Sequence, residues 1–194
     1  MESLPERLAK AKPTEVEGTW QRHVAAKYAD TGLDGRSAQG RWGVEDSYPV
    51  LYLGKPTDSV IVEAYRHLID PVDGPPPPIR PRVLVTCEVS VSEILDLRSA
   101  ANRVLAGLTM QQLQSETYDR DAYTACQNVS AAAHQLGYRG LVAPAATRLG
   151  ETLVLFTDRL PQQEKPVRTH DEMWVELPSD PRKPRRGNHL QVVR

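Results

Sequence analysis

One segment, residues 121–136, constrains the fold more than any other part of this 194-residue chain. Its apolar residues recur every three or four positions, which is the spacing of one face of an α-helix. The residues on this face are Ala122, Ala125, Cys126, Val129, Ala132, Ala133 and Leu136. Most of them are small, so the pattern predicts a helix that packs closely against a sheet. Gly137 then supplies the left-handed residue with which many helices end.

The remaining segments mix strand and helix patterns without regular alternation. Strand patterns occur at 19–26, 49–53, 82–91, 140–143 and 152–156. Helix patterns occur at 57–70, 99–108 and 109–113, and Thr57 or Asp58 can cap the first of them. Because a doubly wound sheet requires regular β–α–β alternation, these patterns predict an α+β fold instead.

The ends of the chain differ in composition from the middle. Residues 1–18 are charged and are expected to form a loosely held arm, whereas 19–177 are long enough for one folded domain. Residues 178–194 carry a local charge of +4 and are expected to form a flexible basic tail. The net charge of the whole chain is −1, so bulk charge gives no reason to expect a nucleic-acid or membrane partner.

The chain has two cysteines, Cys87 and Cys126, both in apolar segments. They do not make a disulfide framework, and no cysteine or histidine spacing indicates a metal site. Buried free thiols favour a reducing compartment. The first residues show no apolar signal segment, and no apolar run approaches the roughly 20 residues that span a bilayer. A cytoplasmic protein is therefore expected.

Three residues on different elements indicate a polar pocket. Arg41 lies in a glycine-rich turn, Tyr52 in a short apolar strand and Glu63 in a helix, and each is eleven positions from the next. A cation, a phenol and a carboxylate that come from three elements suit a pocket better than one surface face.

These residues, together with Arg22 upstream, resemble the RES-domain family. The resemblance runs from about residue 20 to about residue 159 and includes the segments 22–24, 40–43, 61–67, 138–144 and 153–156. The family consists of bacterial toxins that degrade NAD, each partnered by an antitoxin with an Xre-like helix-turn-helix region. The resemblance implies a fold like that of ADP-ribosyltransferases, with a bent central mixed sheet and flanking helices, and residues 19–177 as an NAD-binding catalytic domain.

The resemblance also implies what the site and its partners are. NAD+ is the substrate, inorganic phosphate is the expected co-substrate, and no other cofactor or metal is expected. The antitoxin is the expected protein partner, in a homo- or hetero-oligomer, and DNA is contacted only indirectly through it. The resemblance implies a serine at the position that is Ala145 in this chain. Alanine has no hydroxyl, but Thr147, two positions later, can supply one.

The residue types suit cleavage of the bond between nicotinamide and ribose. This cleavage builds positive charge on the sugar, and the Glu63 carboxylate can stabilise that charge and orient the ribose hydroxyls. Arg22 and Arg41 can bind pyrophosphate oxygens through their planar guanidinium groups. Tyr52 can stack on the nicotinamide ring or hydrogen-bond a ribose oxygen. The resemblance implies phosphorolysis, in which phosphate attacks the ribose, and hydrolysis by water is the competing outcome.

Two other functions are compatible with the same residues. An ADP-ribosyltransferase would pass ADP-ribose to a protein or nucleic acid, and labelled NAD would then mark a macromolecule. A catalytically weakened module, lacking a hydroxyl at Ala145, would bind NAD or its partner without turnover. The Ala145→Ser substitution distinguishes this weakened module from an active enzyme.

Overall fold

The computed structural model describes residues 2–75, 78–117 and 119–183, which form five α-helices and six β-strands. The strands are β1 (Thr14–Ala25), β2 (Val50–Lys55), β3 (Arg82–Asp96), β4 (Gly140–Pro144), β5 (Glu151–Phe156) and β6 (Val167–Trp174). The helices are α1 (Leu4–Leu8), α2 (Thr57–Leu68), α3 (Ala100–Ala106), α4 (Met110–Leu113) and α5 (Arg120–Gln135). Short 3₁₀ turns lie at Ala26–Tyr28 and Gln162–Glu164.

The strands form one bent, mixed sheet in the order β1-β2-β5-β4-β3-β6. β1 also pairs with β3 along nearly its whole length, from Thr14 opposite Ile94 to Ala25 opposite Arg82. The pairing therefore returns to its starting strand, which a flat sheet cannot do. β3 and β4 run parallel, and the other neighbours are antiparallel. The predicted α+β fold, with a bent mixed sheet and flanking helices, is confirmed.

The small-residue face of α5 packs on the sheet as predicted. Cys126, Val129 and Ala133 lie in the same apolar cluster as residues of β4 and β5. Small side chains let the helix approach the sheet closely, as in other well-packed cores. Gly137 has a φ of 89° and ends the helix. Leu136 was predicted on the buried face but is 39% exposed, because the helix has already ended at Gln135.

Both cysteines are free and buried, as predicted. Burial raises the pKa of the Cys87 thiol to about 12 and that of the Cys126 thiol to about 11. Neither thiol is therefore ionised at neutral pH.

The start of α2 differs from the prediction. Pro56 occupies the capping position, and neither Thr57 nor Asp58 caps the helix with its side chain. Instead, the Thr57 hydroxyl donates a hydrogen bond of 2.7 Å to Oε1 of Gln21 on β1. The predicted cap is thus wrong, because a tertiary contact takes up the hydroxyl and fixes the helix against the sheet.

The strand β6 was not predicted. Seven of its eight residues are exposed, and it pairs with β3 at the edge of the sheet. Its sequence lacks the alternation of apolar and polar residues that marks a half-buried strand. The backbone pairing with β3 forms this strand without that pattern.

The segment before β1 is not a loose arm. Leu8 is 0% exposed and Ala11 is 6% exposed, and both belong to the cluster that holds the buried face of α5. The hydroxyl of Tyr138 donates to the carbonyl oxygens of Leu8 and Ala11, at 3.3 and 2.9 Å. The expectation of a loosely held arm is wrong, because the apolar side of this short helix is part of the core.

The first residues of the predicted tail are also held in place. Arg182 forms ion pairs with Asp70 at 2.6 Å and with Asp180 at 2.9 Å. The expectation of a flexible tail therefore does not hold for 178–183, and 184–194 lie outside the described residues. None of the helices in the described ranges is long and apolar enough to cross a membrane.

Candidate functional site

A cavity of about 540 Å³ collects most of the predicted site residues. Its wall includes Arg22, Arg41, Tyr52, Glu63 and Thr147, which come from β1, β2, α2 and two loops. The volume falls within the range of about 300–1,000 Å³ that is usual for small-molecule sites. The cavity lies beside the short pairing of β1 with β2, in which Gln21 is opposite Gly54.

Arg22 projects from β1 into a largely dry part of the wall. Burial lowers the pKa of its guanidinium, and the positive charge of Arg36 lowers it further. Within the described residues the one hydrogen bond of Arg22 is a long contact of 3.5 Å, from Nη1 to the carbonyl oxygen of Asp34, so the other donors can reach a ligand. Such a group favours an anionic ligand, because an opposite charge compensates the burial.

Arg41 is held in one orientation by α4 and the segment that follows it. Nη1 donates to the carbonyl oxygen of Gln112 at 2.7 Å and to Oγ of Ser115 at 2.9 Å. Nη2 donates to the carbonyl oxygen of Ser115 at 2.9 Å. The guanidinium also lies over the ring of Tyr123, 4.6 Å from its centroid. Both terminal nitrogens therefore already have protein acceptors, and a phosphate would have to replace these acceptors to bind the planar fork.

Tyr52 lies in the cavity wall, and its hydroxyl is bonded within the protein. Its hydroxyl accepts a hydrogen bond of 3.0 Å from the backbone N–H of Trp42, and burial raises the pKa of the phenol. A Cβ at Gly40 would lie 2.9 Å from the Tyr52 oxygen, so glycine is what allows the loop to approach. The phenol therefore holds the Arg41 loop against β2, besides any contact with a ligand.

Tyr52→Phe is expected to lower the free energy of unfolding by about 1–3 kcal/mol, because the buried N–H of Trp42 loses its acceptor. Urea unfolding followed by tryptophan fluorescence measures this change. Tyr28→Phe is the control, since Tyr28 is 41% exposed and should change stability by less than about 0.5 kcal/mol. Equal stabilities of the two variants would contradict the structural role of the phenol.

Glu63 is the carboxylate of the cavity and remains accessible. Its side chain is 43% exposed, and Oε1 lies 3.3 Å from Nδ1 of His67 one turn later on α2. The same Nδ1 lies 2.9 Å from the carbonyl oxygen of Glu63, so His67 folds back on the helix. The carboxylate is thus positioned by its own helix and stays open to a ligand.

The structure places Ala145, where a serine was expected, and Thr147, the possible source of a hydroxyl, in different surroundings. Ala145 is 2% exposed and does not line the cavity, whereas Thr147 does. Oγ1 of Thr147 lies 2.7 Å from Oγ of Ser59, a buried serine one turn before Glu63. Hydroxyl groups are therefore present beside Glu63 although Ala145 has none. The weakened-module alternative stays a hypothesis.

Sequence reasoning missed Ser59 and Arg66 as residues of the cavity wall. Both lie on α2 with Glu63, at spacings of four and three residues. Residues at these spacings share one face of a helix. That spacing was the signal that could have identified them.

His23 forms a partly buried, neutral part of the wall. Nε of Arg82 donates a hydrogen bond of 2.7 Å to its Nδ1, and its ring stacks on that of Trp174. Burial lowers the pKa of His23 to about 3, and the charges of Arg82, His67 and Arg22 contribute. The ring is therefore an acceptor for Arg82 and not a cation at neutral pH.

The protein is expected to lose stability as the pH falls below about 6.5, because the unfolded chain protonates His23 and the folded chain does not. The slope from this group is at most about 1.4 kcal/mol per pH unit. His23→Asn keeps an acceptor for Arg82 and should show a shallower slope. Urea unfolding on both sides of about pH 6.5 measures the difference. If the free energies of unfolding of the wild type and of His23→Asn fell equally on the acid side, His23 would not be the source of the pH dependence.

Comparisons with known proteins identify the family and the fold. A family model described as the RES domain matches residues 19–176. A search of curated proteins finds no match. Among solved structures, the chain is similar to one in the crystal structure of the M. tuberculosis MbcT-MbcA toxin-antitoxin complex. The TM-score is 0.74 at 24% identity, over 89% of this chain and 92% of that chain. This likeness confirms the predicted fold class.

Proposed function

This chain belongs to the RES-domain family, and from that premise we propose that it is the toxin of a bacterial toxin–antitoxin pair and degrades NAD+. The observation that carries the proposal is one cavity shared by the Glu63 carboxylate and the guanidinium groups of Arg22, Arg41 and Arg66. A carboxylate suits the ribose that becomes positively charged, and guanidinium groups suit the pyrophosphate. The likeness to a chain of a toxin–antitoxin complex supports the toxin assignment.

The bond between the ribose and nicotinamide is the one that breaks. Its electron pair leaves with the nicotinamide nitrogen, and positive charge develops on the ribose. Glu63 stabilises that charge and accepts hydrogen bonds from the ribose hydroxyls. Nicotinamide leaves as a neutral molecule, so a second carboxylate acting as a general acid is not required.

The arginines fix the other end of the substrate. Among the described residues Arg22 makes one long hydrogen bond, so its donors can reach the pyrophosphate. Nη1 and Nη2 of Arg41 already donate to Gln112 and Ser115, so Arg41 would have to exchange these acceptors for phosphate oxygens. Binding of the pyrophosphate at a fixed distance from Glu63 positions the ribose for attack. This positioning raises the rate of attack on the ribose, and it needs no additional catalytic group.

The acceptor of the ribosyl group is either phosphate or water. In phosphorolysis a phosphate oxygen forms the new bond to the ribose carbon, and the products are nicotinamide and ADP-ribose phosphate. In hydrolysis the water oxygen forms that bond and releases a proton, and the second product is ADP-ribose. Several cationic side chains share this cavity and suit an anionic phosphate better than water. They therefore favour phosphorolysis over hydrolysis.

Incubation of the full chain with NAD+, with and without inorganic phosphate, tests the proposal. Nicotinamide release is the expected result, and mass spectrometry of the second product identifies the acceptor. Labelled NAD+ that marks a protein or nucleic acid would instead indicate a transferase. Absence of nicotinamide release under all of these conditions would refute NAD+ degradation.

The antitoxin is proposed to act at the same cavity. A site with several arginines can accept a terminal carboxylate of a partner and thereby exclude the substrate. A small helix-turn-helix protein from the neighbouring reading frame is the expected partner, and DNA is bound through it. The proposal places the pair in the cytoplasm, where Cys87 and Cys126 stay reduced. Addition of that partner should stop nicotinamide release.

A further inference from the structure

The loop that carries Arg41 is long, and its described length of 29–49 contains neither a helix nor a strand, apart from one isolated bridge between Arg36 and Val50. Ordered loops of this length are uncommon in compact domains and often serve binding or catalysis. Four consecutive residues of the loop, 39–42, line the cavity. Since the loop has no ladder of backbone hydrogen bonds of its own, contacts with other elements must fix these four residues in place.

One face of α5 provides such contacts. Four residues of this helix are spaced by four, three and four positions and therefore lie on one side of it. We call them the loop-facing stripe: Tyr123, Gln127, Ser130 and His134. Tyr123 lies under the guanidinium of Arg41. At the other end of the stripe, Oγ of Ser130 accepts a hydrogen bond of 2.9 Å from the hydroxyl of Tyr48, and the His134 ring stacks on that of Tyr48.

Gln127, in the middle of the stripe, contacts the backbone on both sides of Arg41. Its Nε2 donates to the carbonyl oxygen of Gly40 at 2.8 Å and to that of Gly43 at 3.2 Å. The backbone N–H of Gly40 donates to the same Gly43 oxygen at 3.0 Å, which closes a turn around the two residues between them. Because an amide nitrogen carries two N–H donors, one side chain can hold both carbonyl groups of the turn.

We propose that Gln127 is a positioning residue, which fixes the turn at 40–43 and thereby sets where the guanidinium of Arg41 lies in the cavity. The contacts with Gln112 and Ser115 hold the tip of the Arg41 side chain, whereas Gln127 holds the backbone from which that side chain starts. Gln127 is not one of the described residues that line the cavity, so it acts through the turn and not on the substrate.

This role rests on the proposed function, because the place of Arg41 affects turnover only if Arg41 binds the substrate. It also adds a part of the molecule to that function. The buried face of α5 packs on the sheet, and its loop-facing stripe fixes one wall of the cavity. One helix thus joins the core to the site, although α5 contributes only Tyr123 to the described lining.

Hydrogen exchange of the unliganded full chain, followed by NMR, tests whether Gln127 fixes the turn. Gln127→Glu keeps the shape of the side chain but replaces the two donors with an oxygen that repels both carbonyl groups. Exchange at the hydrogen-bonded amides of Gly40 and Trp42 should become about tenfold faster or more, since the turn loses two hydrogen bonds. Unchanged exchange at these two amides would overturn the proposal.

Asn128→Asp is the matched control. It makes the same change of an amide to a carboxylate at the next position of α5, where the side chain is exposed. Exchange at 40–43 and affinity for NAD+ should both stay at the wild-type values in this variant. Equal effects of Asn128→Asp and Gln127→Glu would assign the change to charge on the helix and would overturn the role of the Gln127 amide.

Titration and initial rates with NAD+ test whether the turn positions Arg41. In Gln127→Glu the dissociation constant for NAD+ should rise about tenfold, and KM should rise more than kcat falls, because a group that binds the substrate is displaced. Gln127→Ala should weaken binding in the same direction but by less, and it decides the question if Gln127→Glu does not fold. A loss of stability alone, with wild-type affinity for NAD+, would show that Gln127 does not position the site.

Arg41→Ala separates action through Arg41 from other effects of the turn. Gln127→Glu should weaken NAD+ binding much less in the Arg41→Ala protein than in the wild type, because coupled residues are not additive. Equal losses in the two backgrounds would overturn the proposal. A protein that binds NAD+ without releasing nicotinamide would refute the proposed function alone, since the affinities still measure the coupling. If the chain did not bind NAD+, the proposed function would fall, and the exchange rates would decide by themselves whether Gln127 fixes the turn.

Discussion

Glu63→Gln is expected to reduce nicotinamide release by about 100-fold or more, since one preorganised electrostatic group commonly contributes 10²–10³ to the rate. The amide keeps the shape of the side chain but cannot stabilise positive charge on the ribose. The dissociation constant for NAD+ should change much less than kcat, because the charge develops only in the transition state. Initial rates and a binding titration on the same preparation measure the two effects.

Asp58→Asn provides the matched control for Glu63. Asp58 lies on the same helix, is exposed and does not line the cavity, so the variant removes an equal charge outside the site. Turnover should be unchanged in this variant. Glu63→Gln should also unfold at nearly the wild-type temperature, since its contact with His67 is half-exposed. A Glu63→Gln protein that releases nicotinamide at the wild-type rate would remove Glu63 from the mechanism.

Leu8→Ala is expected to lower the free energy of unfolding by about 2–5 kcal/mol. Leu8 is fully buried, so the change removes apolar contacts and leaves a cavity between α1 and the main core cluster. Chemical denaturation followed by circular dichroism measures the loss. Such a value would be a large part of the stability of an ordinary domain.

Val104→Ala serves as the control on α3, the helix that packs beside α1. Val104 is 77% exposed, so its truncation should change stability by no more than about 0.5 kcal/mol. If Leu8→Ala unfolded at the same denaturant concentration as Val104→Ala, the first segment would be a loose arm after all.

Local patterns were sufficient to predict most of the elements. The stripe of small residues on α5 and the apolar runs of β2, β4 and β5 lie where the sequence placed them, because burial on the sheet requires those patterns. β6 lacked any such pattern, since it is held by backbone pairing at an edge. The apolar side of α1 was too short to distinguish from a charged loop.

Long-range pairing could not be deduced from local patterns. The contact of β1 with β3 brings Trp20 opposite Cys87, and nothing near either residue specifies that partner. The bend of the sheet follows from this pairing, so it was expected only through the family resemblance. Register is set by the tertiary arrangement of whole strands, not by their individual sequences.

The sequence predicted that three candidate residues share a pocket, and their roles stay a prediction. Arg41, Tyr52 and Glu63 line one cavity, as their placement on three elements suggested. Arg66 and Ser59 were missed, although both share a helix face with Glu63. The acceptors that hold Arg41 come from a segment about 70 positions away, a contact that the sequence alone does not reveal.

The two buried thiols make the protein convenient for site-directed labelling. Maleimide reagents attack the thiolate, and with pKa values of about 12 for Cys87 and about 11 for Cys126 almost none is present at neutral pH. A cysteine introduced at an exposed position, such as Glu116, would therefore react well ahead of both. A fluorophore attached there would lie beside Ser115, so its emission would report on ligands that enter the cavity next to Arg41 and Arg66.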